Sequence, residues 1–256
     1  MCEAVLLLRL EGPMQSWGTR SRWDVRDTGL EPTKSGVIGL LGCAAGLRRG
    51  DVELEELDRA LVFGVRIDRP GAISADFQTV KGYHRTASGE YKRSGGTAKS
   101  LERAREYDEH TIVSPRDYLH DAAFLVALSV KPEHRAGNPG LLERLAERLQ
   151  KPRWPLYLGR KACVPTRPVF DRLTEDYANI EEALCRAEWA APRSPREREM
   201  LRRTGQGPKL LAWIEDPEGE YERQDSMRTN QLRFYDFRRC RSIPDIDTMK
   251  LPWRIT

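Results

Sequence analysis

Apolar positions in this chain come in short continuous runs separated by polar, glycine-rich stretches. Ala4-Val5-Leu6-Leu7-Leu8-Arg9-Leu10 is the first, closed by Gly12-Pro13. An unbroken run of this length predicts a central strand buried on both faces. Residues 19–31 are polar and irregular. A helix is expected from Thr33–Ser35, where a hydroxyl can cap it, to about Gly46. Its glycines at 36, 39, 42 and 46 lower intrinsic helicity by roughly 1 kcal/mol each relative to alanine, so close approach to a sheet or ligand should offset them. Leu61–Ile67 reads as a second strand. Ile73–Val80, after a Pro70-Gly71 turn, reads as its hairpin partner.

Residues 81–117 break this rhythm with Gly, Ser, Lys and Arg, and Ser94-Gly95-Gly96 forms their expected tip. Such an excursion is usually functional or disordered. Asp121–Val130 is the next apolar strand. Leu141, Leu142, Leu145 and Leu149 mark an amphipathic helix between Asn138-Pro139 and Pro152. A basic glycine loop, Tyr157–Cys163, leads to a strand near Cys163–Phe170. The order predicts an α+β fold: a ferredoxin-like, RRM-like core over residues 1–171, with an inserted thumb at about 81–117. Beyond it, 172–256 read as a smaller, β-containing C-terminal part. There Ile180–Trp189 is a candidate helix, Arg193–Arg203 is dominated by charge, and Lys209–Glu215 and Leu232–Arg239 are candidate strands.

The 256 residues are 39% hydrophobic and 32% charged, enough for a real core under a wet surface. No run approaches eighteen apolar residues, so no membrane span is expected. The five cysteines are scattered without a CxxC pair. They suggest neither zinc nor disulfides, and a cytoplasmic location follows from that usage. A net charge of +4 says little by itself, but its distribution says more. Lys81, Arg85, Lys92, Arg93 and Lys99 face a lone Glu90. Lys151, Arg153, Arg160, Lys161 and Arg167 face no acid within residues 151–168. A near-neutral total can hide a basic groove that a polyanion would feel, although solvated faces give the same pattern. Acids collect at 51–58 and 215–222, and Arg238-Arg239-Cys240-Arg241 is a basic strand end.

Three places carry candidate chemistry. Thr33-Lys34-Ser35 at a helix start is a ready anion site. It is no Walker loop, because Thr28 and Thr33 occupy the positions of the required glycines. A plain capped helix fits as well. Gln15, Trp17, Arg20, Arg22 and Trp23 mix aromatic faces with cations, as single-stranded nucleic acid requires, and equally fit core tryptophans. Lys81, Tyr83, His84 and Arg85 could contact RNA. Lys81, Tyr83 and His84 could also serve as base and cation for metal-independent RNA cleavage. His110, His120 and His134 show no metal-ligand spacing, and no cofactor is called for.

Gly12-Pro13-Met14-Gln15-Ser16-Trp17-Gly18 followed by Pro32-Thr33-Lys34-Ser35-Gly36-Val37-Ile38-Gly39-Leu40-Leu41-Gly42 closely resembles the CasD family of type I-E CRISPR Cascade subunits. The likeness continues through Gly82-Tyr83-His84, Asp117–Phe124 and Lys151–Lys161, covering most of the first 170 residues. It implies a RAMP-superfamily, Cas-five-type protein that binds guide RNA without cutting it. Such proteins cap the crRNA 5′ handle and contact the CasC backbone subunit, the CasA large subunit and other Cascade subunits. Related type I-C members process the repeat RNA, so an endoribonuclease remains the alternative. On the likeness and the residues together, the expected RNA-binding set is Gln15, Trp17, Arg20, Arg22, Lys34, Ser35, Lys81, Tyr83, His84, Arg85, Arg160 and Lys161, all facing one groove.

Overall fold

The computed structural model describes residues 3–18, 26–190, 195–227 and 235–254. In chain order its elements are β1 (Val5–Glu11), β2 (Met14–Gln15), α1 (Lys34–Ala45), α2 (Val52–Ala60), β3 (Leu61–Arg69), β4 (Ala72–Gly82), β5 (Tyr91–Arg93), β6 (Gly96–Ala98), α3 (Leu101–Ala104) and β7 (His110–His120). There follow β8 (Ala123–Val130), α4 (Leu141–Gln150), β9 (Phe170–Thr174), α5 (Ile180–Arg186), β10 (Trp189–Ala190), α6 (Pro195–Thr204), β11 (Lys209–Glu215), β12 (Tyr221–Met227), β13 (Tyr235–Asp247) and β14 (Trp253–Arg254).

The fold is mixed α/β around one large antiparallel sheet, ordered β12-β13-β11-β3-β8-β1-β9. The apolar runs of β1 and β8 explain their central place, since each is buried along almost its whole length. Alternate residues of β1 feed two cores, as the period-two pleat demands. Leu6, Leu8 and Leu10 pack with Val37, Ile38 and Leu41 of α1 and with Leu142, Leu145 and Leu149 of α4. Val5 and Leu7 pack on the opposite face with Ile180, Ala183 and Leu184 of α5. The C-terminal strands β11, β13 and β12 extend this same sheet beyond β3, through β11–β3 pairing. Buried Arg66 pins the end of α5 by donating to the carbonyls of Leu184, Ala187 and Glu188.

Helix α1 runs close to the expected bounds. Thr33 Oγ1 accepts from the Gly36 amide, and Gly46 closes the helix in the left-handed region. Two of its glycines sit where a side chain would collide. A Cβ at Gly36 would lie 3.0 Å from the Trp17 ring, and one at Gly42 would lie 2.4 Å from Leu54. Gly39 has open space around it, so packing does not explain that position.

Other expectations are corrected. The Pro70-Gly71 turn leads β4 not back onto β3 but out along β7, which it pairs from Ala72↔His120 to Gly82↔His110. Both edges of β3 are taken, by β8 and β11. β8 buries both faces there, whereas β4 interleaves Ser74, Asp76 and Gln78 and is exposed almost throughout. The β4–β7 ribbon is thus an arm, and it includes the strand assigned from the sequence to the sheet. At about 3.4 Å per residue it carries Gly82 roughly 34 Å from its root. β5, β6 and α3 form its tip. The strand expected near Cys163–Phe170 is displaced to Phe170–Thr174. Pro165 and Pro168 cannot donate to a ladder. The Arg9 amide donates to the Val169 carbonyl and Thr166 to the Glu11 carbonyl instead. α5 ends at Arg186, short of Trp189, and the charged stretch after Pro195 forms α6.

The glycine loop after α4 lies directly on the Gly12–Gly18 segment. Ser16 donates its amide to Leu158, and a Cβ at Gly159 would stand 1.8 Å from the Ser16 carbonyl oxygen. Gly159 and Gly50 share a φ of +97°, but Gly50 has open space. Gly159→Ala should therefore cost about 3 kcal/mol in a urea melt, and Gly50→Ala only about 1 kcal/mol. Equal costs would mean that backbone conformation, not the contact with Ser16, sets the requirement.

Candidate nucleic-acid interface

The Gly12–Gly18 loop is internal. Gln15 is fully buried, and its Nε2 donates to the carbonyls of Leu10 at 3.2 Å and Ala122 at 2.9 Å. Trp17 Nε1 donates to Gln15 Oε1 at 2.9 Å, while the indole packs on Gly36. These contacts correct the expectation that Gln15 and Trp17 meet RNA, because neither presents a free polar atom or ring face. Arg20, Arg22 and Trp23 lie outside the described residues.

The α1 N-terminus does attract an anion, but the anion belongs to the chain. Asp225 of β12 accepts from the Lys34 amide at 2.8 Å, and Arg238 of β13 grips both carboxylate oxygens at 2.7 and 3.0 Å. The positive end of the helix and a bidentate guanidinium thus share one carboxylate. Lys34 Nζ is buried, 2.8 Å from Glu215 and 3.8 Å from Asp58. Lys131 holds the other Glu215 oxygen at 2.8 Å. Ser35 is buried too, with its Oγ 3.5 Å from Thr33 Oγ1. Lys34 and Ser35 are accordingly internal structure rather than a phosphate site. Burial pushes the Lys34 ammonium down further than Glu215 and Asp58 raise it. Burial alone would push Glu215 up, but Lys34 and Lys131 together hold it below the usual carboxylate range.

Arg160 is also engaged. Its guanidinium donates to the carbonyls of Asp117, Arg26 and Asp27 at 2.9, 2.8 and 3.2 Å and lies over Tyr118. It clamps the loop against the root of the arm, and its neighbour Lys161 is exposed. Lys81, Tyr83, His84 and Arg85 stand elsewhere, at the far end of the ribbon. The single groove expected for all these residues is therefore split between arm root and arm tip. At the tip Lys81 and Arg85 are exposed. Arg85 lies 5.2 Å from the Tyr91 ring centroid, and Arg93 lies 3.7 Å from that of Tyr107. The Tyr83 hydroxyl donates to the Tyr107 carbonyl at 2.9 Å, and His84 Nε2 is enclosed without a partner. The tip thus offers cations backed by aromatic rings, an arrangement suited to phosphates and bases.

The family model described as CRISPR-associated protein (Cas_Cas5) matches residues 5–241. This chain belongs to the Cas5 family. The CRISPR system Cascade subunit CasD of Escherichia coli (strain K12) is 36% identical over 166 residues, 64% of this chain and 69% of that protein. A crystal structure of a Cas protein superposes with a TM-score of 0.63 at 33% identity, covering 97% of both chains. A chain of a CRISPR RNA-guided surveillance complex superposes with a TM-score of 0.67 at 30% identity, covering 96% of this chain and 92% of that one.

In this Cas5-family chain the Asp225–Arg238 pair and the Lys34–Glu215 contact escape a sequence reading. Lys34 meets Asp225 and Glu215 across 191 and 181 positions, whereas Arg238 reaches Asp225 across the 13 that separate them on neighbouring strands. The only hint was the acidic 215–222 stretch beside the basic Arg238–Arg241. Glu215→Gln removes the charge facing two lysines and should destabilise the fold by about 3 kcal/mol near neutral pH. A depressed carboxylate stabilises above its unfolded value, near 4.3, and loses that contribution as pH falls through the folded value. The gap between wild type and variant in chemical melts should therefore narrow from about pH 5 to pH 3. A gap independent of pH would contradict the ionised pairing.

Proposed function

We propose that this chain is a non-catalytic guide-RNA-binding subunit of a type I-E Cascade-like surveillance complex. In this reading it caps the crRNA 5′ handle and touches the CasC-type backbone and CasA-type large subunits. The observation that carries the reading is the exposed arm, rooted in the buried Gly12–Gly18 signature loop and tipped by Lys81, Arg85 and Lys92 beside aromatic rings. The named relatives support it, being a Cascade subunit and a chain of an RNA-guided complex.

We read the core as ferredoxin-like. Its support is the local order β3-β8-β1-β9, with α1 between β1 and β3 and α4 between β8 and β9. Target sequence would be read by the guide's base pairing, not by this chain.

The RNA contacts of this reading are the exposed cations, with Lys161 at the arm root. Replacing Lys81, Arg85, Lys92 and Lys161 by glutamine should weaken repeat-RNA binding and lower its log–log salt slope by roughly 0.7 per lost phosphate contact. Unchanged affinity and slope would overturn the site. Incubation of labelled repeat RNA with purified protein, with and without EDTA, should leave the RNA intact. Metal-independent cleavage abolished by His84→Ala would establish the endoribonuclease reading instead.

A further inference from the structure

A second basic surface lies apart from the arm tip. It is built where α1 ends and the segment after α4 crosses it. Gly46 closes α1, and its α-carbon faces the aliphatic stem of Arg153, which a Cβ there would meet at 2.8 Å. The Arg153 amide donates to the Ala44 carbonyl at 2.9 Å. Cys43 Sγ lies 3.4 Å from the Pro155 carbonyl oxygen. These contacts seat Arg153 on Gly46, two and three residues before Arg48 and Arg49 and flanked in sequence by Lys151 and Trp154. All four cations are exposed, and none joins an ion pair among the described residues. Asp51, the acid closest in sequence, bonds the Arg48 amide at 2.7 Å rather than a guanidinium. Trp154 is 38% exposed, although a tryptophan of a monomer usually hides its ring.

Four exposed cations without an ion pair among the described residues, next to an exposed indole, fit a particular ligand class. The cations suit successive phosphates, and the ring suits an unstacked base. A duplex would use the charges but leave the ring idle, because its bases are stacked on one another. An acidic protein surface would pair with the cations and pack the indole on apolar side chains, and wild-type single-strand binding by both variants below is the outcome that favours it. We propose that Arg48, Arg49, Lys151, Arg153 and Trp154 form a binding site for single-stranded nucleic acid, separate from the arm tip. This extends the RNA-binding reading to another face but rests on its own residues.

The test uses the full chain and three probes: an unstructured RNA oligonucleotide, the DNA strand of the same sequence, and the corresponding duplex. The charge variant carries Arg48→Gln, Arg49→Gln, Lys151→Gln and Arg153→Gln, with glutamine keeping the stem over Gly46. Its melting temperature should match wild type, while its log–log salt slope for single strands falls by about 2 to 3. Trp154→Ala should weaken single-strand binding by about fivefold or more, at an unchanged salt slope. Duplex binding should not respond to Trp154→Ala. If RNA alone responds, the occupant is RNA; if both strands respond equally, the site reads only the shared backbone and bases. Wild-type single-strand binding by both variants overturns the proposal, as does a response confined to duplex. Should both of these variants bind normally while the Lys81, Arg85, Lys92 and Lys161 variant does not, the second site falls and the handle-binding reading stands.

Discussion

One buried amide joins the parts of this molecule that must not move relative to one another. Gln15 donates to Leu10 near the end of β1 and to Ala122 just before β8, and it accepts from Trp17. Its backbone pairs with Leu119 at the root of the arm. The indole it orients then seats α1 through Gly36. Central sheet, first helix and arm thus meet at a side chain with no exposure to water. A buried polar group left unpaired costs about 1–3 kcal/mol, so the four attachments stand or fall together. The glycine loop reinforces the joint from outside, with Gly159 on Ser16 and Arg160 clamping Asp117, Arg26 and Asp27.

A second joint closes the C-terminal strands on the core. Isolated charges do not enter a protein interior cheaply, yet Lys34, Asp58, Glu215, Asp225 and Arg238 are all largely buried. They are tolerated because cations and carboxylates alternate, and because Asp225 occupies the α1 N-terminus, where a negative charge is favoured. Distant segments therefore supply what a ligand would otherwise supply. A helix start with free amides, lysine and serine reads as a phosphate site only while the rest of the chain is ignored.

Much of the fold was legible in the sequence. The continuous apolar runs of β1, β3 and β8 required two-sided burial, and Thr33 and Gly46 marked the ends of α1. Pairing partners were not legible for β4, because local pattern says nothing about which edge of β3 is already occupied. α2 was hidden inside the acidic 51–58 stretch, where charge concealed the spacing of Leu54 and Leu57. The candidate site was legible as a set of residue types but not as a place. Cations and aromatic rings do mark exposed surface at the arm tip, whereas the same residue types at Trp17, Lys34 and Arg160 serve internal contacts. Burial separates the two groups, and burial of a polar residue depends on partners far away in the chain.

The central claim is that the signature loop and the α1 start position the RNA-binding arm without touching RNA. Ultraviolet cross-linking of the wild-type chain to unstructured repeat RNA, followed by mass-spectrometric mapping, tests this most directly. Cross-links are expected in peptides containing Lys81–Arg93, in the exposed stretch around Lys161 and, at the second basic surface, on Trp154, with none at Gln15, Trp17, Lys34 or Ser35. A cross-link on Trp17 or Lys34 in the folded protein would contradict the account.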